Sequence, residues 1–334
     1  MADTMISRRR LLKLTSVALA APFVLPAGRA YAAWPADKPV RVVVANSAGG
    51  PSDISARLLA PALQEALGGT FIVENRPGGG AVTGMVAVSR AEPDGYTLLV
   101  ATSGWSMNPS LYTPPPYDAI NDLAPVVEIA GSPSVFVVQP SLGVATMKDM
   151  VALAKKDQSK FNIASPPLGS TLHLGAELIK LREGLKDVAI VFHSGGGQAI
   201  QALLSGVVQL GSSSLAPAHE HIKAGTLKAL AILGEERWSD LPDVPTAKEA
   251  GYPDFNFETR TGLLAPPKTP PEIIARLEKA ALDALNKPEL REKYQRAGFA
   301  VRAKSRPEFT IRLAAEVAHF RAIIEQAGIK PKPL

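Results

Sequence analysis

The sequence predicts an α/β fold in which mainly parallel sheets, covered by helices, form two lobes around a cleft. Three observations predict it. Short apolar runs rich in valine alternate with amphipathic helical runs along most of the chain. Each strand-like run ends in a turn of glycine, serine and other small residues that leads into a helix. These turns share one chemical character. In open α/β sheets ligands sit outside the carboxyl ends of the strands, so several alike turns point to a cleft between lobes.

The first unit sets the pattern. Val40, Val42, Val43 and Val44 feed the turn at residues 46–52, and a helical run follows at 53–67. A second strand at 71–73 enters the turn at 74–80. A small-residue turn between strand and helix leaves backbone N–H groups unpaired, and the helix dipole adds partial positive charge there, which suits a carboxylate. The unit carries no nucleophile and no metal cage, so it reads as a grip.

The later units repeat the format. A buried strand at 97–101 runs into 102–109; a short strand at 135–138 is followed by a helix at 147–156. The strand at 161–164 precedes the turn 165–171 and a helix at 172–181. The strand at 188–192 precedes the turn 193–197 and a helix at 198–205. A strand at 207–210 ends in the turn 211–214, with a helix at 216–224 and a closing strand at 227–233. Helices at 271–285, 289–297 and 307–327 make a tail that covers one lobe. Proline-rich loops fall at 114–116 and 266–271.

Residues 1–32 read as an export signal. Ser7-Arg8-Arg9-Arg10-Leu11-Leu12-Lys13 precedes a moderately apolar run, and Ala30-Tyr31-Ala32 offers small residues at a cleavage site. The arginine pattern is similar to a twin-arginine signal, with an ordinary secretory signal as the rival reading. The apolar run is too short for a membrane span. The chain carries 36 basic and 31 acidic residues, net +5. Residues 1–32 hold Arg8, Arg9, Arg10, Lys13 and Arg29 against Asp3, so most of that excess leaves with the signal. The basic pI therefore gives no support to nucleic-acid binding. Cysteine is absent, which excludes disulfides, thiolate metal sites, a thiol nucleophile and a lipid-anchored cysteine.

From Trp34 to Gly328 the chain resembles the Bug family, the periplasmic receptors of tripartite tricarboxylate transporters. The resemblance rests on ordered runs: W-P-A-D-K-P-V-R-V-V-V from Trp34, A-G-G-P-S-D at Ala48, V-E-N-R-P-G at Val73 and P-D-G-Y-T-L-L from Pro93. It continues through N-P-S-L-Y at Asn108, G-S-T-L-H-L-G-A-E-L at Gly169 and G-G-G-Q-A at Gly195. I-K-A-G-T-L-K-A-L-A-I at Ile222, L-P-D-V-P-T-A-K-E-A-G-Y-P from Leu241 and G-L-L-A-P-P-K-T-P at Gly262 complete the set. The resemblance implies a type II periplasmic-binding fold with a discontinuous first lobe, 33–134 plus 258–334, and a second lobe, 135–257. It implies capture of a small carboxylate, of the di- or aromatic kind, and delivery to membrane permease subunits by a periplasmic monomer without cofactor or metal. By position it places ligand contacts at Ser47, Ala48, Gly49, Gly50, Thr102 and Ser103 on one lobe, and at Ser165, Gly169, Ser170 and Thr171 on the other. Three departures add His193, Ser213 and Arg260 as candidates. Phe192-His193 stands where the family commonly has tyrosine and lysine; Gln209-Leu210-Gly211-Ser212-Ser213 replaces an acidic, aromatic run; Arg260-Thr261 replaces an aromatic pair. The shift favours an anion over an amino acid.

Each candidate has a structural rival. Gly49 and Gly50 also suit plain loop geometry. Ser170 and Thr171 also suit a helix cap, which uses the same geometry as anion binding. Arg260 is read either as a solvated hinge residue or as a bidentate grip. His193 either lines the cleft or satisfies a local carbonyl. Asp53 answers the helix dipole, and Trp105 and Phe192 read as core more readily than as a stacking platform. His219 and His221 stand two apart on a helix and face different ways, against a metal site. The common nucleophile, phosphate and dinucleotide motifs are absent. A periplasmic hydrolase using the same cleft, or a ligand sensor for a signalling partner, are the rival functions.

Overall fold

In the computed structural model, residues 34–167, 170–326 and 330–333 are described. The expected export signal at 1–32 and the candidate Gly169 lie outside the described residues. Strand β1 (Val40–Val44) buries its valines and enters helix α1 (Pro51–Leu67), whose first position is Pro51, with φ already suited to a helix. The helix leaves through Gly68 at φ +75°, a left-handed stop that glycine adopts freely. Strand β2 (Phe71–Asn75), helix α2 (Val82–Ser89), strand β3 (Thr97–Thr102), the single turn α3 (Gly104–Met107) and the short strand β4 (Tyr112–Thr113) follow. β1 lies in parallel between β2 and β3, with Val42 opposite Val73 and Leu98. β3 is buried along nearly its whole length, as befits a parallel strand covered on both faces.

Strand β5 (Ala124–Val138) is fifteen residues long and organises the molecule. Only its end, 135–138, is foreseen in the sequence, because Gly131 and Pro133 interrupt the apolar run. Beyond it come helix α4 (Met147–Lys156), strand β6 (Asn162–Ser165), helix α5 (Thr171–Glu183), strand β7 (Ala189–Phe192), helix α6 (Gly196–Leu204), strand β8 (Leu210–Ser214), helix α7 (Leu215–Lys223) and strand β9 (Lys228–Leu233). Thr146 and Asp149 close a reciprocal capping box at the start of α4. Strand β10 (Glu258–Ala265), helices α8 (Pro271–Leu285) and α9 (Pro288–Arg296), strand β11 (Ala300–Lys304), helix α10 (Arg306–Gln326) and strand β12 (Lys332–Pro333) complete the described chain.

The sheet order is β2-β1-β3-β10-β5-β8-β6-β7, with β9 and β11 also paired to β5. The first half of β5 pairs antiparallel with β10 and β11; the second half pairs antiparallel with β8 and β9. One strand therefore runs through both parts of the sheet. The parallel ladders lie outside this antiparallel centre: β1 with β2 and β3, and β6 with β7 and β8. Separate apolar cores flank the two parts. One gathers Val43, Met85, Leu99, Trp105 and Phe309; another gathers Phe136, Met150, Ile163, Leu185 and Phe255.

Strand β8 differs from the sequence expectation. The strand is 210–214 rather than 207–210, so the serines expected in a turn lie within a ladder, Ser214 opposite Ser134 and Ser213 opposite Val135. Their polarity reads as a loop, yet two of the hydroxyls bond inward, Ser212 to the carbonyl of Leu172 and Ser213 to that of Ser214.

Candidate functional site

The first turn is held rigid by its own side chains. Asp53 accepts hydrogen bonds from the Gly49 N–H at 2.9 Å, from Arg57 Nε at 3.0 Å and from Asn75 Nδ2 at 3.0 Å. Asn75 also donates to the Asn46 carbonyl, and Ser52 Oγ donates to Asn46 Oδ1. Burial pushes the Asp53 carboxyl up, but the bonds from Arg57, Gly49 and Asn75 outweigh it and hold the group below the usual carboxylate range. A carboxyl with a lowered folded value stabilises the fold above its unfolded value, near pH 4, and that contribution is lost as pH falls through the lowered value. Asp53→Asn is therefore expected to lose about 1–3 kcal/mol at pH 7, and the deficit should shrink at pH 3. Denaturant unfolding at the two pH values checks both halves of that expectation.

Four helix starts converge on one cavity. It is lined by Asn46 and Pro51 at the start of α1, by Thr102, Ser103 and Gly104 at the start of α3, by Ser170, Thr171 and Leu172 at the start of α5, and by Gly195 and Gly196 at the start of α6. Pro166, Pro167 and Thr259 close the remaining wall. The cavity measures about 430 Å³ counted out to its open mouth, open solvent included. No charged side chain lines it. Its electrostatics come from helix ends and hydroxyls, which favour an anion without supplying a countercharge for an ammonium group. Ser170 is the N-cap of α5, its Oγ accepting from the His173 N–H at 3.1 Å; its own hydroxyl proton remains for another acceptor. Thr171 Oγ1 lies 3.4 Å from Thr259 Oγ1.

The turn at 47–50 meets the glycines at 195–197 directly. A methyl group on Gly197 would lie 2.5 Å from the carbonyl oxygen of Ala48, and one on Gly195 would lie 2.3 Å from Ser47 Oγ. No real Cβ contact is that short, so glycine there allows two backbones to touch.

The candidate residues thus divide. Thr102, Ser103, Ser170 and Thr171 line the cavity. Ser47, Ala48, Gly49 and Gly50 form the seam with Gly195 and Gly197, and the Gly49 N–H is already taken by Asp53. Ser165 is buried below the turn, with its carbonyl accepting from His193 N–H at 2.9 Å. His193 is half-buried and off the lining, and burial lowers its basicity. Ser213 is turned into the β8 ladder. Arg260 is engaged by Glu258 Oε2 at 2.8 Å and Glu316 Oε1 at 3.2 Å and stands outside this lining. Trp105 is core: it stacks on Tyr117 at 4.0 Å and donates to the Ala119 carbonyl. Phe192 is exposed and meets His173 edge-on. Asn46, Gly195, Gly196 and Thr259 were not among the expected contacts. Thr259 lies on β10, for which the sequence carries no clean alternation, and the triple glycine reads in the sequence only as a turn.

His219 is fully buried, with Nε2 3.3 Å from Asp240 and Nδ1 3.4 Å from Glu220, while His221 turns to Thr226. Among the described residues no group of three or more histidine or acidic side chains could hold a metal ion. Among them, too, no helix is long and apolar enough to cross a membrane.

Helix ends gathered at one cavity suit a ligand-binding α/β fold, and solved structures place this one in the periplasmic binding-protein class. The structure of periplasmic binding protein BugD matches with a TM-score of 0.84 at 29% identity, covering 89% of this chain and 99% of that one. A Rhodopseudomonas palustris protein solved with adipate matches at 0.83 and 30% identity, over 89% and 99%. MatC from the same organism, with bound malate, matches at 0.80 and 28% identity, over 86% and 99%. Residues 55–329 match the family described as the tripartite tricarboxylate transporter family receptor. The chain belongs to that family, and it is a solute-binding protein rather than an enzyme.

Proposed function

We propose that this protein captures a small carboxylate, of the di- or aromatic kind, in the cavity ringed by the starts of α1, α3, α5 and α6. The observation that carries the reading is the convergence of three helix N-termini, those of α1, α5 and α6, and of the single turn α3 on a cavity with no charged side chain. Each of the three helix termini favours an anion by about 0.3–1 kcal/mol, and hydrogen bonds to a charged group add about 1.5–3 kcal/mol each. Several together reach the roughly 8 kcal/mol of a micromolar complex. That relatives were solved with malate and adipate supports the ligand class. The proposed clamp has one lobe of 33–134 plus 258–334 and another of 135–257, closing where 47–50 meets 195–197. The protein works as a monomer in the periplasm, exported on the twin-arginine pattern of residues 7–13, and hands its ligand to the permease subunits of a tripartite transporter. Native mass spectrometry of freshly purified protein tests the reading. A bound small acid released unchanged is expected, together with a rise in melting temperature on adding it back. Chemical conversion of the acid, or no stabilisation by any carboxylate, would contradict it.

A further inference from the structure

Along β10, successive side chains alternate: Thr259 lines the carboxylate cavity, whereas Glu258 and Arg260 line an adjoining charged cavity that shares Ser103 and Thr171 with it. They do so where the sheet changes partners, Glu258 opposite Pro133 and Arg260 opposite Gly131. There the guanidinium of Arg260 donates from Nε to Glu258 and from Nη1 to Glu316 Oε1. The second oxygen of Glu316 accepts from Ser106 Oγ at 3.0 Å. Ser106 is fully buried; its N–H donates to the Ser103 carbonyl at 3.1 Å, and that carbonyl, 3.2 Å from its Oγ, competes with Glu316 for the single hydroxyl proton. Arg312 braces the group through Glu128 at 3.2 Å, and Arg302 also pairs with Glu258.

α3 is a single turn of four residues. A helix that short does not hold itself, because its few hydrogen bonds do not offset the cost of nucleation. The direction of its N–H groups at Ser103 and Gly104 is therefore set by what grips the turn from outside. The Tyr117 hydroxyl and the Trp105 indole fix its core side, and Glu316 fixes Ser106. Glu128, Glu258 and Glu316 balance Arg260, Arg302 and Arg312, so the cluster acts by geometry and adds no net attraction for an anion.

We infer that Arg260 and Glu316 are positioning residues: through Ser106 they aim the start of α3 into the carboxylate cavity without touching the ligand. The inference rests on the carboxylate reading of that cavity. Calorimetric titration of malate and adipate into the full chain tests it, with Ser106→Ala, Glu316→Ala, their double variant, Glu316→Gln and Arg260→Met. Ser106→Ala and Glu316→Ala are each expected to weaken binding about 5- to 10-fold. The double variant should be no weaker than the worse single one, because the two act in series. Glu316→Gln, which keeps a hydrogen-bonding partner for Ser106, should stay within about 2-fold of wild type, and Arg260→Met should lose no more than Glu316→Ala. Unchanged affinity in Ser106→Ala, additive losses, or a 100-fold loss confined to Arg260→Met would overturn the inference. Should Glu316→Ala fail to fold, Ser106→Ala decides alone, since it removes one hydroxyl and leaves the ion pairs intact. Wild-type protein that takes up neither acid would overturn the carboxylate reading first, and the wild-type arm shows that separately.

Discussion

Gly197→Ala is expected to weaken carboxylate binding by about 100-fold while leaving the melting temperature of the ligand-free protein unchanged. The new methyl group would lie 2.5 Å from the Ala48 carbonyl oxygen and 3.2 Å from the Gly49 carbonyl carbon. Both are backbone atoms of a turn held by Asp53, Asn75 and Ser52, so they cannot swing aside as a side-chain tip would. Contact between 47–50 and 195–197 is lost, and the cavity wall at Gly195 and Gly196 moves away from Pro51. A 100-fold loss corresponds to about 2.7 kcal/mol of closing energy, and apparent affinity falls with the population of the competent state. The helix itself does not suffer from the exchange, because Gly197 is the second residue of α6, where alanine is as acceptable as glycine. Calorimetry of ligand binding and of unfolding together separate the two effects. Parallel losses in both would show damage to the fold instead of failed closure.

The double variant Ser170→Ala with Thr171→Ala is expected to weaken binding by at least about 30-fold, with a fall in melting temperature of about 2–4 °C. Both residues line the cavity at the start of α5. The stability cost comes from the lost cap, since Ser170 Oγ accepts the His173 N–H, and such caps contribute about 1 kcal/mol. The binding cost comes from two hydroxyl donors facing the anion. Ser170→Gly separates the two, because glycine at an N-cap costs only a few tenths of a kcal/mol while still removing the hydroxyl. Unchanged affinity in the double variant would remove this wall from the site.

The residues that announce themselves in the sequence are those whose local chemistry and position agree. The apolar runs at β1 and β3 and the helices α4 and α8 are set by local pattern, and their bounds are legible to within a residue, while α1 starts two residues earlier than its pattern reads. What stays hidden depends on the other side of the molecule. Ser212 to Ser214 look like a turn until the β5 ladder pairs their backbone and the Leu172 carbonyl on α5 takes the Ser212 hydroxyl. Gly131 looks like a strand breaker, but a methyl group there would strike the Glu258 carboxylate, so the glycine serves that side chain. Arg260 looks free to hold a ligand, whereas Glu258 and Glu316, from β10 and α10, engage its Nε and Nη1. The triple glycine at 195–197 is visible as a turn, yet its purpose requires the facing turn, nearly 150 residues earlier.

The most direct test of the central claim is a calorimetric titration that pairs small mono- and dicarboxylates, adipate and malate among them, with their neutral amides of the same length. Helix starts and hydroxyls discriminate by charge on the ligand, and no charged side chain lines this cavity. One-to-one binding of at least one acid near the micromolar range is expected, with its amide weaker by about 100-fold or more. An amide that binds as tightly as its acid, or a cavity that takes no carboxylate at all, would contradict it.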